Sequence, residues 1–199
     1  MKSESEKQVN TSSLKPKNEY VCWLDIMGTK NNMSDSFEKS TNYMLRFHSA
    51  IFSVVKSEKQ VTFYPVMDGV YITSPKAEII KKVVKAIMNQ LADVFIEEAT
   101  CFHKFVIRGA LAYGEIAHGK YIDERVCKNL AGEHYLQYLL FGMPIIMAHI
   151  SERLAPPYGI YIHESARKVA VLQGRYMSVY TPPKKKYYER EIVPIFRLV

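Results

Sequence analysis

The sequence predicts an α+β domain whose core elements follow the order β-α-β-β-α-β. Two observations predict it. Short runs of β-branched and aromatic residues are interspersed with longer segments that repeat apolar residues at helical spacing, and an Asp-Gly dipeptide separates two neighbouring β-rich runs. That order is the order of the ferredoxin-like sandwich. A helix and further strands are predicted after this core, toward the C-terminus.

The core is predicted to begin with a buried strand. Residues 19–26 are rich in Tyr, Val, Trp, Leu and Ile, and the run stops at Gly28. Residues 34–57 then carry apolar side chains at helical spacing, and Ser34 or Asp35 is placed to cap that helix. The sequence therefore predicts a strand followed by a long helix.

A hairpin and a second helix are predicted next. Residues 60–67 and 70–73 are β-rich, and only Asp68-Gly69 separates them, so we expect a tight turn at this dipeptide. Residues 77–99 place their apolar side chains on one helical face. The hairpin is therefore followed by an amphipathic helix.

The fourth core strand is predicted at residues 104–116, and a polar region at residues 117–133 follows it. The elements predicted beyond that region are a helical pattern over 134–154 interrupted by Gly142 and Pro144, a strand over 159–162, a short helix over 165–171 and a closing strand over 192–198.

Length and composition bound the domain count and the location. A chain of 199 residues with 48% hydrophobic residues can bury one core, so residues 18–199 are predicted to form a single domain behind a flexible tail of residues 1–17. No apolar stretch is long enough to cross a bilayer, and the N-terminus lacks the hydrophobic segment of a signal peptide. We expect a cytoplasmic protein without a membrane partner.

Cysteine usage and net charge narrow the class of function. Three cysteines without CxxC spacing predict idle thiols in a reducing compartment rather than a disulfide framework or a zinc site. The net charge of +7 suits nucleic acid, a membrane surface or a small polyanion. Because no stripe of aromatic residues is interleaved with Arg and Lys, nucleic acid is not the expected partner, whereas a nucleoside triphosphate needs far fewer positive charges.

Two aspartates are candidates for chemistry. Asp25 lies within an apolar run, where an unpaired buried carboxylate costs on the order of a few kcal/mol. Asp68 lies at the predicted hairpin tip, where an ordinary turn would also use it. In a β-α-β-β-α-β sandwich the first strand and the hairpin strands lie side by side, so we expect the two carboxylates to converge. A pair of divalent ions relieves such repulsion and serves phosphoryl or nucleotidyl transfer, and oxygen-only ligands indicate Mg²⁺ or Mn²⁺.

Three short motifs, in order, resemble those of the class III nucleotide cyclases. The first strand of that family is roughly F-x-D-I-x-G-F-T, and residues 23–30 are W-L-D-I-M-G-T-K. Its hairpin often carries G-D-x, which Asp68 matches with Met67 in place of Gly, and its fourth strand often has R-x-G-I-x-x-G, similar to R-G-A-L-A-Y-G at residues 108–114. The resemblance covers about residues 18–165.

This resemblance implies a site for two ions of Mg²⁺ or Mn²⁺. Asp25 and Asp68 would bind them, together with the main-chain carbonyl of Ile26. Arg108 would stabilise phosphate charge, although an ordinary strand-end ion pair with Glu115 or Asp123 explains an arginine there equally well. The substrate phosphates would lie on the backbone from Gly28 and Thr29 onward, with Lys30 adding charge at the start of the first helix.

Departures from the family motifs indicate the base. Purine cyclases hold a base-reading lysine four residues before the hairpin aspartate, where this chain has Tyr64. The asparagine and arginine of a later motif become Ile146 and Ile150, and Leu139 stands at another base-reading position. These losses resemble the pyrimidine cyclases of the Pycsar anti-phage systems, in which an aromatic residue sits at the base. Tyr64 can stack on a pyrimidine, or it is an ordinary half-buried strand aromatic.

The implied activity is conversion of CTP or UTP to cyclic CMP or cyclic UMP, by a head-to-tail homodimer whose product acts on a cyclic-nucleotide-sensing effector. The apolar segment 139–150 is consistent with a dimer face, and core packing explains it equally well. A purine cyclase with a rebuilt pocket and a catalytically inactive cyclase-like binding module are the alternatives. An RNA-binding domain is less favoured because residues 104–113 do not form an aromatic-rich strand.

Overall fold

One mixed sheet organises the computed structural model, which describes residues 15–100, 103–122, 134–169 and 176–178. Its strands are β1 (Lys17–Ile26), β2 (Thr62–Val66), β3 (Gly69–Ser74), β4 (Ile107–His118), β5 (Leu140–Phe141), β6 (Gly159–Ile162) and β7 (Tyr176–Ser178). The helices are α1 (Thr29–Asp35), α2 (Phe37–Val55), α3 (Ala77–Glu97), α4 (Met143–Ser151) and α5 (Glu164–Val169).

The sheet order is β2-β3-β1-β4-β6-β7, with β5 paired to β4. Strand β1 is antiparallel to both β3 and β4, and β2 is antiparallel to β3, while β6 runs parallel to β4. The four core strands thus stand in the order β4-β1-β3-β2. This confirms the predicted α+β class and its ferredoxin-like core with C-terminal additions.

The two faces of the sheet are covered unequally. Helices α2 and α3 bury their apolar faces against alternate residues of β1, including Leu24 and Ile26. The intervening residues Val21 and Trp23 belong to a smaller cluster with Ala148 of α4 on the opposite face. Because side chains alternate along a strand, Asp25 belongs to the α4 face. The candidate carboxylate therefore lies on the more thinly covered side of the sheet.

The predicted long helix over residues 34–57 corresponds to α2, and the short helix α1 that precedes it was not predicted. Ser36 separates α1 from α2 with an extended backbone, and its hydroxyl accepts a hydrogen bond from the Lys39 N–H at 3.2 Å. The expectation that Ser34 or Asp35 caps the helix is therefore wrong. Ser36 can satisfy an exposed N–H group of α2 because it lies in the N-cap position itself.

The turn of the β2–β3 hairpin lies one residue earlier than predicted. Val66 pairs with Gly69, so Met67 and Asp68 are the two central turn residues and Gly69 already belongs to β3. Gly69 is required for packing: a Cβ atom there would overlap Cη2 of Trp23 and lie 2.9 Å from the Leu24 carbonyl oxygen. The prediction of a turn at Asp68-Gly69 is wrong because close packing, not a turn, requires this glycine.

The predicted helical pattern over residues 134–154 is interrupted more than expected. It consists of a 3₁₀ turn (His134–Tyr138), strand β5, helix α4 and a second 3₁₀ turn (Glu152–Leu154). Gly142 has φ +139°, and a Cβ atom there would overlap the Glu115 carbonyl oxygen, so β5 and α4 join at a close backbone approach. Strand β6 matches its prediction, and α5 begins one residue early.

Several sequence predictions fall outside the described residues. They are the tail up to residue 14, residues 123–133 of the polar region and the closing strand at 192–198. Strand β7 was not predicted. None of the helices in the described part of the chain has the length and apolar character needed to span a bilayer.

Candidate active site

Asp25 and Asp68 meet where the end of β1 reaches the hairpin turn. Asp25 is the cross-strand partner of Gly69, the residue that follows Asp68. The next residue of β1, Ile26, donates its N–H to the Asp68 carbonyl at 3.2 Å. The sheet register therefore brings together the two carboxylates that the sequence places far apart.

Asp25 has an elevated proton affinity. Its burial raises the pKa of the carboxyl to about 7, and the negative charges of Asp68 and Glu152 add to this rise, while Arg108 and a backbone hydrogen bond from Ile26 oppose it. Burial and like charge both penalise the ionised form. The site therefore carries more negative charge than its own side chains neutralise.

Arg108, the cation singled out on the fourth strand, lies beside Asp25 as its cross-strand partner. Its Nε donates a hydrogen bond to Oε1 of Glu152, a buried residue in the 3₁₀ turn after α4. The alternative pairing with Glu115 is not the one observed, and Asp123 lies outside the described residues. Sequence reasoning missed Glu152, whose signal was an acidic residue two positions after the apolar segment 139–150.

The oxygen atoms at this point fit a divalent cation. The negative charge of Asp68 contributes to the raised pKa of Asp25, and such an environment favours a cation. The Ile26 carbonyl accepts a hydrogen bond from the Thr29 hydroxyl at 3.1 Å, which leaves it a second lone pair. No group of three or more His, Cys, Asp or Glu side chains is poised to hold a metal among the described residues. A site with two carboxylates suits Mg²⁺, which usually keeps several water ligands.

The predicted phosphate-binding segment follows the site directly. Gly28 has φ +80°, a left-handed conformation that favours glycine, and it leads the chain from β1 into α1. No described side chain caps the N-terminus of α1, and Lys30 in its first turn is exposed. The free backbone N–H groups at the start of α1 favour an anion. They follow the carboxylate pair directly along the chain.

Tyr64 is buried and its hydroxyl already has a partner. The side chain is 4% exposed, and its hydroxyl lies 2.5 Å from Nδ1 of His118, whose Nε2 lies 3.2 Å from Oε1 of Glu19. Burial raises the pKa of the Tyr64 phenol. Because ionised Glu19 only accepts, it favours the His118 tautomer that carries hydrogen on Nε2, and Tyr64 then donates to Nδ1. Its role as a base-reading residue stays a prediction.

This polar chain lies toward the opposite end of β1 from the carboxylate pair. Glu19 and Asp25 are six residues apart on one strand, which corresponds to about 20 Å. The backbone of Tyr64 lies nearer to the pair than Glu19 does, because Tyr64 pairs with Tyr71 and Tyr71 pairs with Trp23, so the long separation applies to the Glu19 end of this polar chain.

The family's asparagine and arginine positions are exposed and apolar in this chain. Ile146 is 53% and Ile150 52% exposed on α4, whereas Ala148 between them is fully buried. Leu139, at the other base-reading position, is half-buried, and Arg153 is exposed. Core packing therefore does not explain the two isoleucines.

Cys22 is a buried free thiol whose pKa burial raises, in agreement with the prediction of an idle cysteine. Cys101 and Cys127 lie outside the described residues.

The chain has the fold of a class III nucleotide cyclase catalytic domain. No protein-family model matches the sequence, and no curated protein matches it either. The likeness is therefore one of structure.

Three solved structures illustrate it. A bacterial light-regulated adenylyl cyclase is 13% identical with a TM-score of 0.59, over 80% of this chain and 47% of its own, so this chain spans about half its length. The guanylyl cyclase domain of the RhoGC fusion protein from the aquatic fungus Blastocladiella emersonii is 14% identical with a TM-score of 0.57, over 78% and 86%. The catalytic core of a rhodopsin-guanylyl cyclase with converted specificity, in complex with ATPαS, is 15% identical with a TM-score of 0.58, over 79% and 83%.

Proposed function

We propose that the chain is a pyrimidine nucleotide cyclase, which converts CTP or UTP into the 3′,5′-cyclic monophosphate and pyrophosphate. The observation that most supports this proposal is the convergence of Asp25 and Asp68 at the end of β1, where the pKa of Asp25 is raised to about 7. The nearby guanidinium of Arg108 is already paired with Glu152. A carboxylate pair with this excess of negative charge, on a cyclase fold, supports a site for divalent ions.

The reaction joins the ribose 3′-oxygen to the α-phosphorus, and the bond from the α-phosphorus to the bridging oxygen of pyrophosphate breaks. Bound Mg²⁺ or Mn²⁺ would lower the pKa of the 3′-hydroxyl and neutralise charge on the departing pyrophosphate. Asp25, Asp68 and the Ile26 carbonyl are the groups that would hold these ions. Gly28 and Thr29 offer backbone N–H groups to the triphosphate, and Lys30 adds a positive charge.

Arg108 supplies a guanidinium beside Asp25, at the position from which it would contact the triphosphate. In the nucleotide-free chain its charge is satisfied by Glu152. A triphosphate offers it a stronger anionic partner, and bidentate contacts between arginine and phosphate are among the strongest charge-assisted hydrogen bonds. Arg108 would therefore act on the substrate by sharing or exchanging the contact with Glu152.

A head-to-tail homodimer would complete the site. The Tyr64 hydroxyl is linked through His118 to Glu19, at the opposite end of β1 from Asp25, so in this proposal one nucleotide would use Asp25 and Asp68 of one copy and Tyr64 of the other. Exposed Ile146 and Ile150 supply apolar surface for that contact. Two copies related by a two-fold axis would form two equivalent sites.

Tyr64 supports the choice of a pyrimidine. It stands where purine cyclases that the sequence resembles hold a base-reading lysine, and its buried partners His118 and Glu19 fix its orientation. The structural neighbour with converted specificity indicates that this fold serves more than one base. We further propose that the cyclic product acts on a cyclic-nucleotide-sensing effector in anti-phage defence, which a plaque assay with wild type and Asp25→Asn would test in the native host.

The deciding experiment incubates the purified chain with ATP, GTP, CTP and UTP separately, with Mg²⁺ or Mn²⁺, and identifies products by mass spectrometry. Cyclic CMP or cyclic UMP with stoichiometric pyrophosphate is expected. Asp25→Asn and Asp68→Asn should abolish it, whereas Asp35→Asn, an exposed aspartate at the end of α1, should not. Cyclic AMP or cyclic GMP as the main product would establish a purine cyclase instead.

A second candidate is a catalytically inactive binding module. Ile146 and Ile150 favour it, because no polar group replaces the family's asparagine and arginine at these exposed positions. Calorimetry that detects metal-dependent NTP binding, together with no product from any of the four nucleotides, would establish this candidate.

A further inference from the structure

The turn that carries Asp68 has a backbone that its sequence does not favour. Met67, the first central residue of the turn, has φ +51°. A two-residue hairpin turn with positive φ at this position usually has glycine there. The Met67 side chain is 78% exposed, so its own packing does not hold the left-handed conformation. Contacts from elsewhere must stabilise the turn.

His48 of α2 supplies such a contact. Its Nε2 lies 2.7 Å from the Met67 carbonyl oxygen. A carbonyl only accepts hydrogen bonds, so Nε2 carries the hydrogen and donates it. The following carbonyl, that of Asp68, accepts from the Ile26 N–H at 3.2 Å. Two consecutive carbonyls of the turn are thus fixed by two different elements, helix α2 on one side and strand β1 on the other.

We propose that His48 is a positioning residue that holds the Met67-Asp68 turn in its left-handed form and thereby keeps the Asp68 carboxylate facing Asp25. This inference rests on the proposed function in that it takes Asp68 as a ligand of the divalent ion. Without the His48 hydrogen bond, Met67 relaxes toward the negative φ values that side chains favour, and this rotation redirects Asp68. His48 does not contact the ion or the substrate.

Two substitutions at His48 separate donation from packing. His48→Gln keeps an N–H donor the same number of bonds from the backbone, whereas His48→Phe keeps a ring without a donor. The control is Leu45→Ala, an exposed residue on the same helix. Combining His48→Phe with Met67→Gly tests the mechanism, because glycine adopts the left-handed turn without strain.

The readout is manganese binding in the absence of nucleotide. Two methods measure it: the rise in melting temperature with added Mn²⁺, and electron paramagnetic resonance of the free Mn²⁺. His48→Phe should raise the half-saturating manganese concentration about fivefold, the effect expected for one lost hydrogen bond. His48→Gln and Leu45→Ala should stay near wild type. In the Met67→Gly background, His48→Phe should change manganese binding by less than about twofold.

Several outcomes overturn the inference: unchanged manganese binding in His48→Phe, equal losses in His48→Phe and His48→Gln, equal effects of His48→Phe with and without Met67→Gly, or a wild-type chain that binds no manganese. The cyclase assay tests the proposed activity separately from the manganese-binding test of His48. A chain that binds manganese with the predicted pattern but forms no cyclic nucleotide keeps the role of His48 and loses the proposed activity. A chain that forms cyclic nucleotide while His48→Phe binds manganese as wild type loses only the role of His48.

Discussion

The Nε of Arg108 donates a hydrogen bond to the carboxylate of Glu152. The arginine beside Asp25 is therefore held by an acidic residue in the 3₁₀ turn directly after α4. Both side chains are largely withdrawn from water. The pair therefore joins β4 to the 3₁₀ turn after α4. Arg108 lowers the pKa of Asp25, and Glu152 partly offsets that effect.

Glu152→Gln should lower the free energy of unfolding by about 1–3 kcal/mol, because the charged donor Arg108 loses its ionic partner. Arg108→Gln should cost a similar amount. The double variant should cost clearly less than the sum of the two, since neither buried charge is then left alone. Urea unfolding measures all three, and strict additivity would show that the pair does not couple.

Asp25→Asn should stabilise the metal-free chain at pH 8 and have little effect near pH 4. The folded state raises the pKa of Asp25 from its ordinary value of 3.8 to about 7, so it holds the proton more tightly than the unfolded chain does. Stability therefore falls as pH rises from about 4 to about 7, and asparagine removes that loss. Urea unfolding in a chelator, compared at the two pH values, should show a gain above about 1 kcal/mol only at pH 8.

Gly69→Ala should destabilise the chain more than Gly28→Ala. A methyl group at Gly69 collides with the Trp23 ring and the Leu24 carbonyl, and overpacking of this kind costs about 1–3 kcal/mol. At Gly28 the nearest atom to an added Cβ is 3.9 Å away, so only the left-handed backbone opposes alanine, at about 1 kcal/mol. Equal losses in thermal unfolding would contradict the packing role assigned to Gly69.

Tyr64→Phe should lower the free energy of unfolding by about 1–3 kcal/mol because it leaves Nδ1 of buried His118 without its partner. The matched control is Tyr138→Phe, at an exposed tyrosine, which should stay within about 0.5 kcal/mol of wild type. In the cyclase assay, Tyr64→Phe should raise KM for the pyrimidine nucleotide more than it lowers kcat. Unchanged stability would show that the short contact with His118 contributes nothing.

Ile146→Lys should prevent dimer formation and cyclase activity while leaving the fold stable. The side chain is exposed on α4, so lysine there should change the stability of the single chain by less than about 0.5 kcal/mol. Leu45→Lys places the same charge on an exposed residue of α2, away from the proposed dimer face, and serves as the control. Analytical ultracentrifugation and product formation would be measured together. An active monomer of Ile146→Lys would contradict the homodimer.

The strand order and the meeting of Asp25 with Asp68 followed from local patterns. Apolar runs, helical spacing and a hairpin signal determine a β-α-β-β-α-β order, and that order permits few arrangements in space. The register then places the end of β1 beside the turn. These features were predictable because each depends on neighbouring residues or on a recurrent topology.

The contacts of individual side chains were not predictable in this way. Glu152 reaches Arg108 from an element whose position only the folded chain defines, and the Asp68-Gly69 signal was misplaced because Trp23, far away in sequence, packs on Gly69. Ser36 caps α2 instead of the predicted Ser34 or Asp35. The spacing of apolar residues does not show where α1 ends and α2 begins, so it could not locate this cap. Long-range packing decided the first two details, whereas the Ser36 cap is a local contact with Lys39.

The buried chain from Glu19 through His118 to Tyr64 also limits how this protein can change. A lysine at position 64 would still donate to Nδ1 of His118, but it would bring a charged ammonium group into a buried site. The three positions therefore form one epistatic unit, in which the fitness of a substitution at one depends on the other two. A mutant library that varies position 64 alone would therefore consist largely of chains with a broken buried contact.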